Sequence, residues 1–345
     1  MSGEEQYGGA QATEETVDFT PLLDEAAFIK AAKRRSTRRM VFVSGGLLLA
    51  VLGMIAVLVV GWHLAIYKQA DRIDSYYPAL VGITSPNTEL IQPGELDVRF
   101  PGASRRYTAY RRVGDVAIAA GEAFAEFDVW GGETAQDPVR QQVREASRVF
   151  SGSSVTPQLD FLEPAGTRTP DPDTKAAEPE ILAGMAARTA TALSRLASAP
   201  PSSTVELAVS FRSTLTLEDV ERRLGSDLDL VWGAVVANDA AGIVWDKTPG
   251  TLVGVDFDTS AGDEPSDANW RRERESRLPR DLRMIADMAP GGTAQRCRRS
   301  ASYLEEHGVR YYGIVVCGSP EAALALVGRP DVSAVSLGVV VMPWE

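Results

Sequence analysis

The sequence predicts a single transmembrane α-helix followed by an α+β extracytoplasmic region, with antiparallel-rich sheets and helices packed on one face. Three patterns lead to this prediction. An uncharged run occupies 40–62, strand-like runs separated by turn residues fill 96–130, and a strand–helix–strand pattern occurs at 205–236 and again at 311–341. Of the 345 residues, 44% are hydrophobic, so the region after the uncharged run has enough apolar surface to fold.

The uncharged run has the length and composition of a membrane span. An α-helix rises about 1.5 Å per residue, so the run covers roughly the ~30 Å hydrocarbon core of a bilayer. We expect a transmembrane helix over 40–67, with Trp62 and Tyr67 in the headgroup layer, where aromatic rings are favoured. A buried core helix is the alternative, but such helices seldom run this long without a polar residue.

The charges on either side of the span predict its orientation. Lys68 and Arg72 follow it and are interleaved with Asp71 and Asp74, whereas six basic residues and no acid precede it closely: Lys30, Lys33, Arg34, Arg35, Arg38 and Arg39. The positive-inside rule places 1–39 in the cytoplasm and the chain beyond about residue 68 outside. No small-residue cleavage site follows the run, so we expect an uncleaved anchor and not a signal peptide.

The cytoplasmic tail, 1–39, is expected to contain one short amphipathic helix. Thr20 can cap it, and Pro21 suits its first position. A helix of two or three turns is marginal alone in water, so its apolar side needs a partner. That partner is either membrane lipid or a cytoplasmic protein that binds the helix in a groove. The candidate partner-binding residues are Phe19, Leu22, Leu23, Ala26 and Ile29.

The region outside the membrane divides into three segments by its turn and linker residues. A membrane-proximal β-rich domain is expected at 68–163, with strands at 96–100, 106–113, 116–120 and 123–130 and a helix at 138–150. A linker and helix follow at 164–203. The C-terminal α+β domain spans 204–345. Its predicted strands are 205–211, 228–236, 252–257, 311–317 and 332–341, and its predicted helices are 217–224, 278–288, 293–307 and 319–327.

The composition excludes several functional classes. A net charge of −12 argues against direct binding of nucleic acid, and the dense basic cluster beside the span is explained by anionic lipid. The two histidines and two cysteines have no metal-ligand spacing, and no nucleophile motif or phosphate-binding loop occurs, so we predict neither an enzyme nor a cofactor. Cys297 and Cys317 either form one disulfide outside the cytoplasm or are two small buried residues.

Three stretches of the chain together resemble the sigma-factor-regulator family, the membrane-anchored anti-sigma proteins of Gram-positive bacteria. The first is FIKAAKRRSTRRM, which leads into the anchor and on to ITSPN. The second is VELAVSFRSTLTLEDVERRL followed by LDLVWGAVV, and the third is YYGIVVCGSPEAALALVGRPDVSAVSLGVVV. The resemblance covers about 28–130 and 204–341. The family combines a short basic tail, one span, an S-P-N-like motif and a C-terminal domain of strand–helix–strand pattern.

The resemblance implies a regulator of transcription. Tail residues 19–33 would sequester an extracytoplasmic-function sigma factor at the membrane, and the external domain would set the state of the tail by sensing a ligand, an envelope condition or another membrane protein. The alternative is a membrane-tethered envelope protein whose external domain binds wall material or scaffolds a complex. In that case, the tail only orients the protein in the membrane.

Overall fold

The computed structural model describes residues 25–128, 159, 161–162, 172–237, 252–257, 269–289 and 291–342. The chain divides into two compact units, Met1–Trp62 and His63–Glu345. The helix predicted at 138–150 lies outside the described residues, as do Phe19, Leu22 and Leu23 of the tail.

Helix α1 (Glu25–Thr84) contains the uncharged run. It is the one helix among the described residues that is long and apolar enough to cross a membrane. The large apolar side chains of the run are exposed, for example Phe42 at 79% and Leu49 at 70%, as expected for side chains that face lipid. The predicted membrane helix is therefore present as a candidate span.

The helix continues well beyond the predicted end at residue 67 and passes through Pro78. Proline removes one hydrogen bond from a helix interior and therefore disfavours a helix there. Packing outweighs the loss, because one side of this part of α1 is buried. The buried residues recur at helical spacing: Ile66, Ala70, Ile73, Tyr77 and Val81.

A three-stranded antiparallel meander follows α1. Its strands are β1 (Glu89–Arg99), β2 (Gly102–Val113) and β3 (Val116–Asp128), in the order β1-β2-β3. Gly121 does not end a strand as predicted. It has φ 138° and pairs with Ala109, while Tyr110 pairs with Ala119, so Ala120 is the extra residue of a β-bulge. The predicted strands 116–120 and 123–130 are therefore one strand.

The C-terminal sheet has five strands in the order β6-β5-β7-β4-β8, and every neighbouring pair is antiparallel. The strands are β4 (Thr204–Leu215), β5 (Leu228–Val235), β6 (Gly254–Asp256), β7 (Tyr311–Gly318) and β8 (Val332–Val341). Helix α3 (Leu217–Leu224) joins β4 to β5, which are parallel to each other with β7 between them. Helix α6 (Pro320–Val327) joins β7 to β8 around β4. This is the split β-α-β arrangement of ferredoxin-like domains.

The helices confirm the predicted α+β class. Crossovers between parallel strands are right-handed in nearly all proteins, which puts α3 and α6 on the same face of the sheet. Helix α2 (Pro172–Ser198) packs against β8 and α6. Its Thr189 hydroxyl accepts from the Val335 amide at 3.0 Å and donates to the Val335 carbonyl at 3.3 Å, so it covers the outer edge of the sheet.

Helices α4 (Trp270–Met288) and α5 (Gly291–His307) form a packed pair inserted between β6 and β7. The sequence predicts this helix to begin at residue 278, and Pro279 lies inside the observed helix. The helix begins eight residues earlier, since the fixed φ of proline is itself helical. The helix is held by a buried apolar side: Leu278, Leu282, Ile285 and Ala286.

The opposite face of the five-stranded sheet carries the main core cluster. Ala208, Trp232 and Val315 of the sheet pack there with Val113 at the end of β2. Leu159 and Phe161 complete this cluster: both are buried in it, and the Phe161 ring occupies the space above Gly313. The membrane-proximal meander therefore packs on the sheet face that lies away from α3 and α6.

Candidate functional site

The predicted partner-binding residues lie at the N-terminal end of the chain. Phe19, Leu22 and Leu23 are outside the described residues, and Ala26 is within α1, where only the backbone is described. Ile29 is also in α1, and its side chain is 58% exposed. Ala26 and Ile29 are three residues apart on a helix and therefore lie on one side of it. The role of these residues in binding stays a prediction.

A second candidate site lies where the C-terminal part of α1 meets the rest of its unit. Asp74 of α1 accepts from both Nε and Nη2 of Arg105 on β2, at 3.2 and 2.8 Å. The Tyr107 hydroxyl donates to the same carboxylate, and its ring lies 5.0 Å from that of Tyr77. Burial raises the pKa of the Tyr107 hydroxyl, so it stays a proton donor. These charge-assisted bonds attach α1 to β2.

The S-P-N motif, Ser85-Pro86-Asn87, turns the chain from α1 into β1. Asn87 has φ 48°, in the left-handed region that asparagine tolerates better than most residues. Its Nδ2 donates to the Arg112 carbonyl at 2.9 Å and also to the Glu206 carboxylate. Its Oδ1 accepts from the Arg112 amide at 3.4 Å. The motif is therefore a structural corner that joins α1, β2 and β4.

Glu206 is the central residue of this corner and is fully buried, with 0% of its surface exposed. Besides Asn87, it binds the Val339 amide of β8 at 3.2 Å and the Arg111 guanidinium of β2 at 3.5 Å. A buried carboxylate is tolerated only when it is paired and hydrogen-bonded in this way. Its carboxylate occupies the space beside Gly338, where a Cβ atom would collide with it.

The last turn of α1 is fixed to β5 by Trp232. This side chain is fully buried, and its Nε1 donates to the Gly82 carbonyl at 2.9 Å. Asp256, the last residue of β6, also lies close to Gly82. We call the set Gly82, Asn87, Arg111, Glu206 and Trp232 the junction. It connects the end of α1 to the C-terminal sheet through hydrogen bonds and one ion pair. Contacts of this kind can pass a movement of the sheet on to α1.

Sequence reasoning identified the S-P-N motif but missed Glu206 and Trp232 as parts of a site. The available signal was a glutamate within the apolar strand VELAVSF. A glutamate is seldom buried without a partner. When its strand is covered on both faces, it therefore indicates a buried pair or a site. Trp232 was expected to pack in a core, which it does.

The two cysteines are free thiols, and both are buried. Cys297 lies on α5, and burial raises its pKa to about 11. Cys317 lies on β7 in the main core cluster, with its Sγ 3.8 Å from the Arg112 carbonyl. In this structure they are two small buried residues and not a disulfide. Among the described residues, no cluster of His, Cys, Asp or Glu side chains could hold a metal ion.

Comparison with known proteins identifies the C-terminal domain. Residues 196–339 match the family described as sigma factor regulator C-terminal, a range that contains β4 to β7 and nearly all of β8. No curated protein and no solved structure matches the chain. The matched range includes Glu206 and Trp232 of the junction. The chain therefore carries a sigma factor regulator C-terminal domain over residues 196–339.

Proposed function

We propose that the N-terminal tail of this anti-sigma-factor-like regulator sequesters an extracytoplasmic-function sigma factor at the membrane, under the control of the C-terminal domain. The family is regulatory and non-enzymatic, and its name implies a sigma factor as partner. The identity of that sigma factor class, the binding segment and the control of binding are our proposal.

The tail has the apolar residues that an interface needs. Phe19, Leu22, Leu23, Ala26 and Ile29 supply them within eleven residues of sequence. A few buried anchors carry most of the free energy of a protein–protein interface. Burying one large apolar side chain contributes on the order of 1.5–3 kcal/mol. Three or four such anchors together contribute on the order of 5–12 kcal/mol, and the affinity is what remains after the cost of association and of ordering the tail.

The charges around the span support an orientation with the tail in the cytoplasm. The six basic residues at 30–39 are all exposed on α1, and the described residues of this stretch include no acid. The positive-inside rule keeps such a segment on the cytoplasmic side, where anionic lipid also attracts it. The C-terminal domain then lies outside the cytoplasm, where it can receive an envelope signal or bind another membrane protein.

The observation that carries the proposal is the continuity of α1. The same helix contains Ile29 of the tail, the candidate span and Gly82, which binds Trp232 of the sigma factor regulator domain. A change in the C-terminal domain that alters the junction therefore acts on the helix that leads to the tail. A passive topology signal would not need this attachment.

The test is co-purification of the full-length protein from membranes, with bound proteins identified by mass, together with transcription from a sigma-dependent promoter. We expect a sigma factor to be retained, and Leu22→Asp combined with Ile29→Asp to release it and raise transcription. Ala27→Asp combined with Ala31→Asp is the matched control, because it adds the same charges on the other side of the helix. Failure to retain a sigma factor in the unmodified protein overturns the proposal and favours an envelope scaffold.

A further inference from the structure

A cleft of about 600 Å³ opens between the start of α3, the middle of α4 and the end of α5. Its size is within the range of small-molecule sites. The cleft lies in the sigma factor regulator domain and shares no residue with the junction or the tail.

One wall of the cleft is apolar. Leu217 and Leu304 are buried side chains that line it, at 4% and 2% exposed, and Pro279 and Val309 are half-buried beside them. An apolar side chain of a ligand placed against this wall would leave water. Burial of that kind supplies most of the affinity in small sites.

Glu275 supplies two hydrogen-bond acceptors to the cleft, its carboxyl group and its backbone carbonyl. Its carboxyl group is half-buried and lines the cleft. Its backbone carbonyl has no helical donor, because residue 279 is a proline inside α4. Burial raises the pKa of the Glu275 carboxyl, while its hydrogen bond with the Tyr311 side chain and the nearby Arg272 charge oppose that shift. A ligand ammonium group would satisfy both acceptors and restore the charge balance of the carboxylate.

Arg272 supplies the opposite charge one turn away on α4. It lines the cleft with its guanidinium exposed and forms no ion pair with the described residues. Glu218 also lines the cleft but is already paired with Arg222 at 3.0 Å, so it does not compete for a ligand cation. The cleft therefore has one carboxylate and one guanidinium beside an apolar wall, and the carboxylate has oxygen lone pairs left over after its bond with Tyr311.

The spacing of the two charges indicates the length of the ligand. Side chains three residues apart on a helix have Cβ atoms about 5–6 Å apart. A chain of two extended residues spans about 7 Å. The separation of the two ends of a very short peptide is therefore close to the Cβ separation of Glu275 and Arg272 on the helix. A phosphate ligand would instead meet a carboxylate and a bare carbonyl, which disfavours it.

We propose that this cleft binds a short peptide of two or three residues with free ends, its ammonium on Glu275, its carboxylate on Arg272 and an apolar side chain against Leu217 and Leu304. Binding of the peptide is independent of the tail. Only the further step, that the peptide is the signal for the domain, rests on the proposed function.

The test is titration calorimetry on the full-length protein in detergent micelles with the dipeptide leucyl-alanine. Two chemically blocked versions, N-acetylated and C-amidated, remove one charge each. We expect the free dipeptide to bind and each blocked version to bind at least about tenfold weaker, which is 1.4 kcal/mol or more. Binding that is equal for all three peptides, or undetectable for the free dipeptide at about 10 mM, overturns the proposal.

Variants locate the site. Glu275→Gln and Arg272→Gln are each expected to weaken binding of the free dipeptide at least tenfold, and Glu275→Gln should abolish the effect of N-acetylation. Glu273→Gln and Arg280→Gln remove the same charges from α4 outside the cleft and should leave binding unchanged. Loss of binding in the control variants as well would contradict the assignment. If the protein retains the sigma factor but does not bind the peptide, only this inference is overturned. If it binds the peptide but does not retain a sigma factor, only the proposed function is overturned.

Discussion

At the scale of single residues, Glu206 holds the parts of the junction together. Its carboxylate binds Asn87, Arg111 and Val339, which belong to three separate segments of the chain. Breaking a buried ion pair from one side costs about 3–5 kcal/mol, since the remaining charge is left without a partner. The three segments therefore hold one arrangement as long as Glu206 keeps its place.

Gly338→Ala tests that arrangement without touching any charge. A Cβ atom at 338 collides with the Glu206 carboxylate, so we expect a loss of about 3 kcal/mol in unfolding free energy. The matched control is Gly184→Ala in the interior of α2, where no atom lies within 4 Å of the added Cβ. That variant should gain about 0.5–1 kcal/mol, the helix preference of alanine over glycine. Equal stabilities of the two variants, measured by chemical denaturation, would contradict the role of Glu206.

Cys297 gives a second prediction at this scale, on thiol reactivity. Its pKa of about 11, against an ordinary 9.0, lowers the thiolate fraction at pH 8 from about one in ten to about one in a thousand. The thiolate is the nucleophile, so we expect native alkylation about 100-fold slower than at an exposed thiol. Because the folded pKa is the higher one, the associated stability is complete below about pH 9 and is lost as pH rises toward 11.

The measurement is iodoacetamide labelling followed by mass spectrometry, in native buffer and in denaturant. Ser302→Cys supplies the matched exposed thiol, because Ser302 lies on the same helix and is exposed. Native labelling of Cys297 at the rate of the introduced cysteine would show that the thiol is not held in a buried, protonated state.

At the scale of elements, the connection from α1 to β1 depends on one asparagine. Asn87→Gly keeps the left-handed backbone conformation accessible but removes the hydrogen bonds to Arg112 and Glu206, each worth about 1 kcal/mol. Asn87→Ala removes the same bonds and adds about 1–2 kcal/mol of backbone strain. We expect stability in the order wild type, Gly, Ala, and faster hydrogen exchange in 63–90. Similar exchange in wild type and Asn87→Ala would show that the corner is held by other contacts.

The helices and strands that could be predicted from the sequence are those that are determined by their own residues. The strands and helices of the C-terminal domain follow from local patterns, such as the helix-capping residues Thr216 and Ser319. The misjudged boundaries are at Pro78, at Gly121 and at the start of α4, where packing against distant segments decides how far the helix or strand extends. The junction could not be predicted for the same reason, because Asn87 and Glu206 meet only after the meander has packed on the sheet.

At the scale of the whole molecule, charge and apolar surface are partitioned along the chain. The tail side of the span has six basic residues within ten positions, the span has none, and the other side has two basic residues balanced by Asp71 and Asp74. Among the described residues of the His63–Glu345 unit, many charges instead form surface pairs, as Arg283 does with Glu305. Only the first distribution bears on how the chain is inserted into a membrane.

That distribution predicts the orientation of the protein, which can be read with two introduced cysteines. Ser36→Cys lies among the basic residues of α1, and Ser302→Cys lies on α5. In intact cells, a membrane-impermeant maleimide should label Ser302→Cys and spare Ser36→Cys, and detergent lysis should expose both. Cys297 and Cys317 are buried, so the background is low. Labelling of Ser36→Cys in intact cells, or protection of Ser302→Cys, would place the domain in the cytoplasm. The junction could not then transmit an envelope signal to the tail.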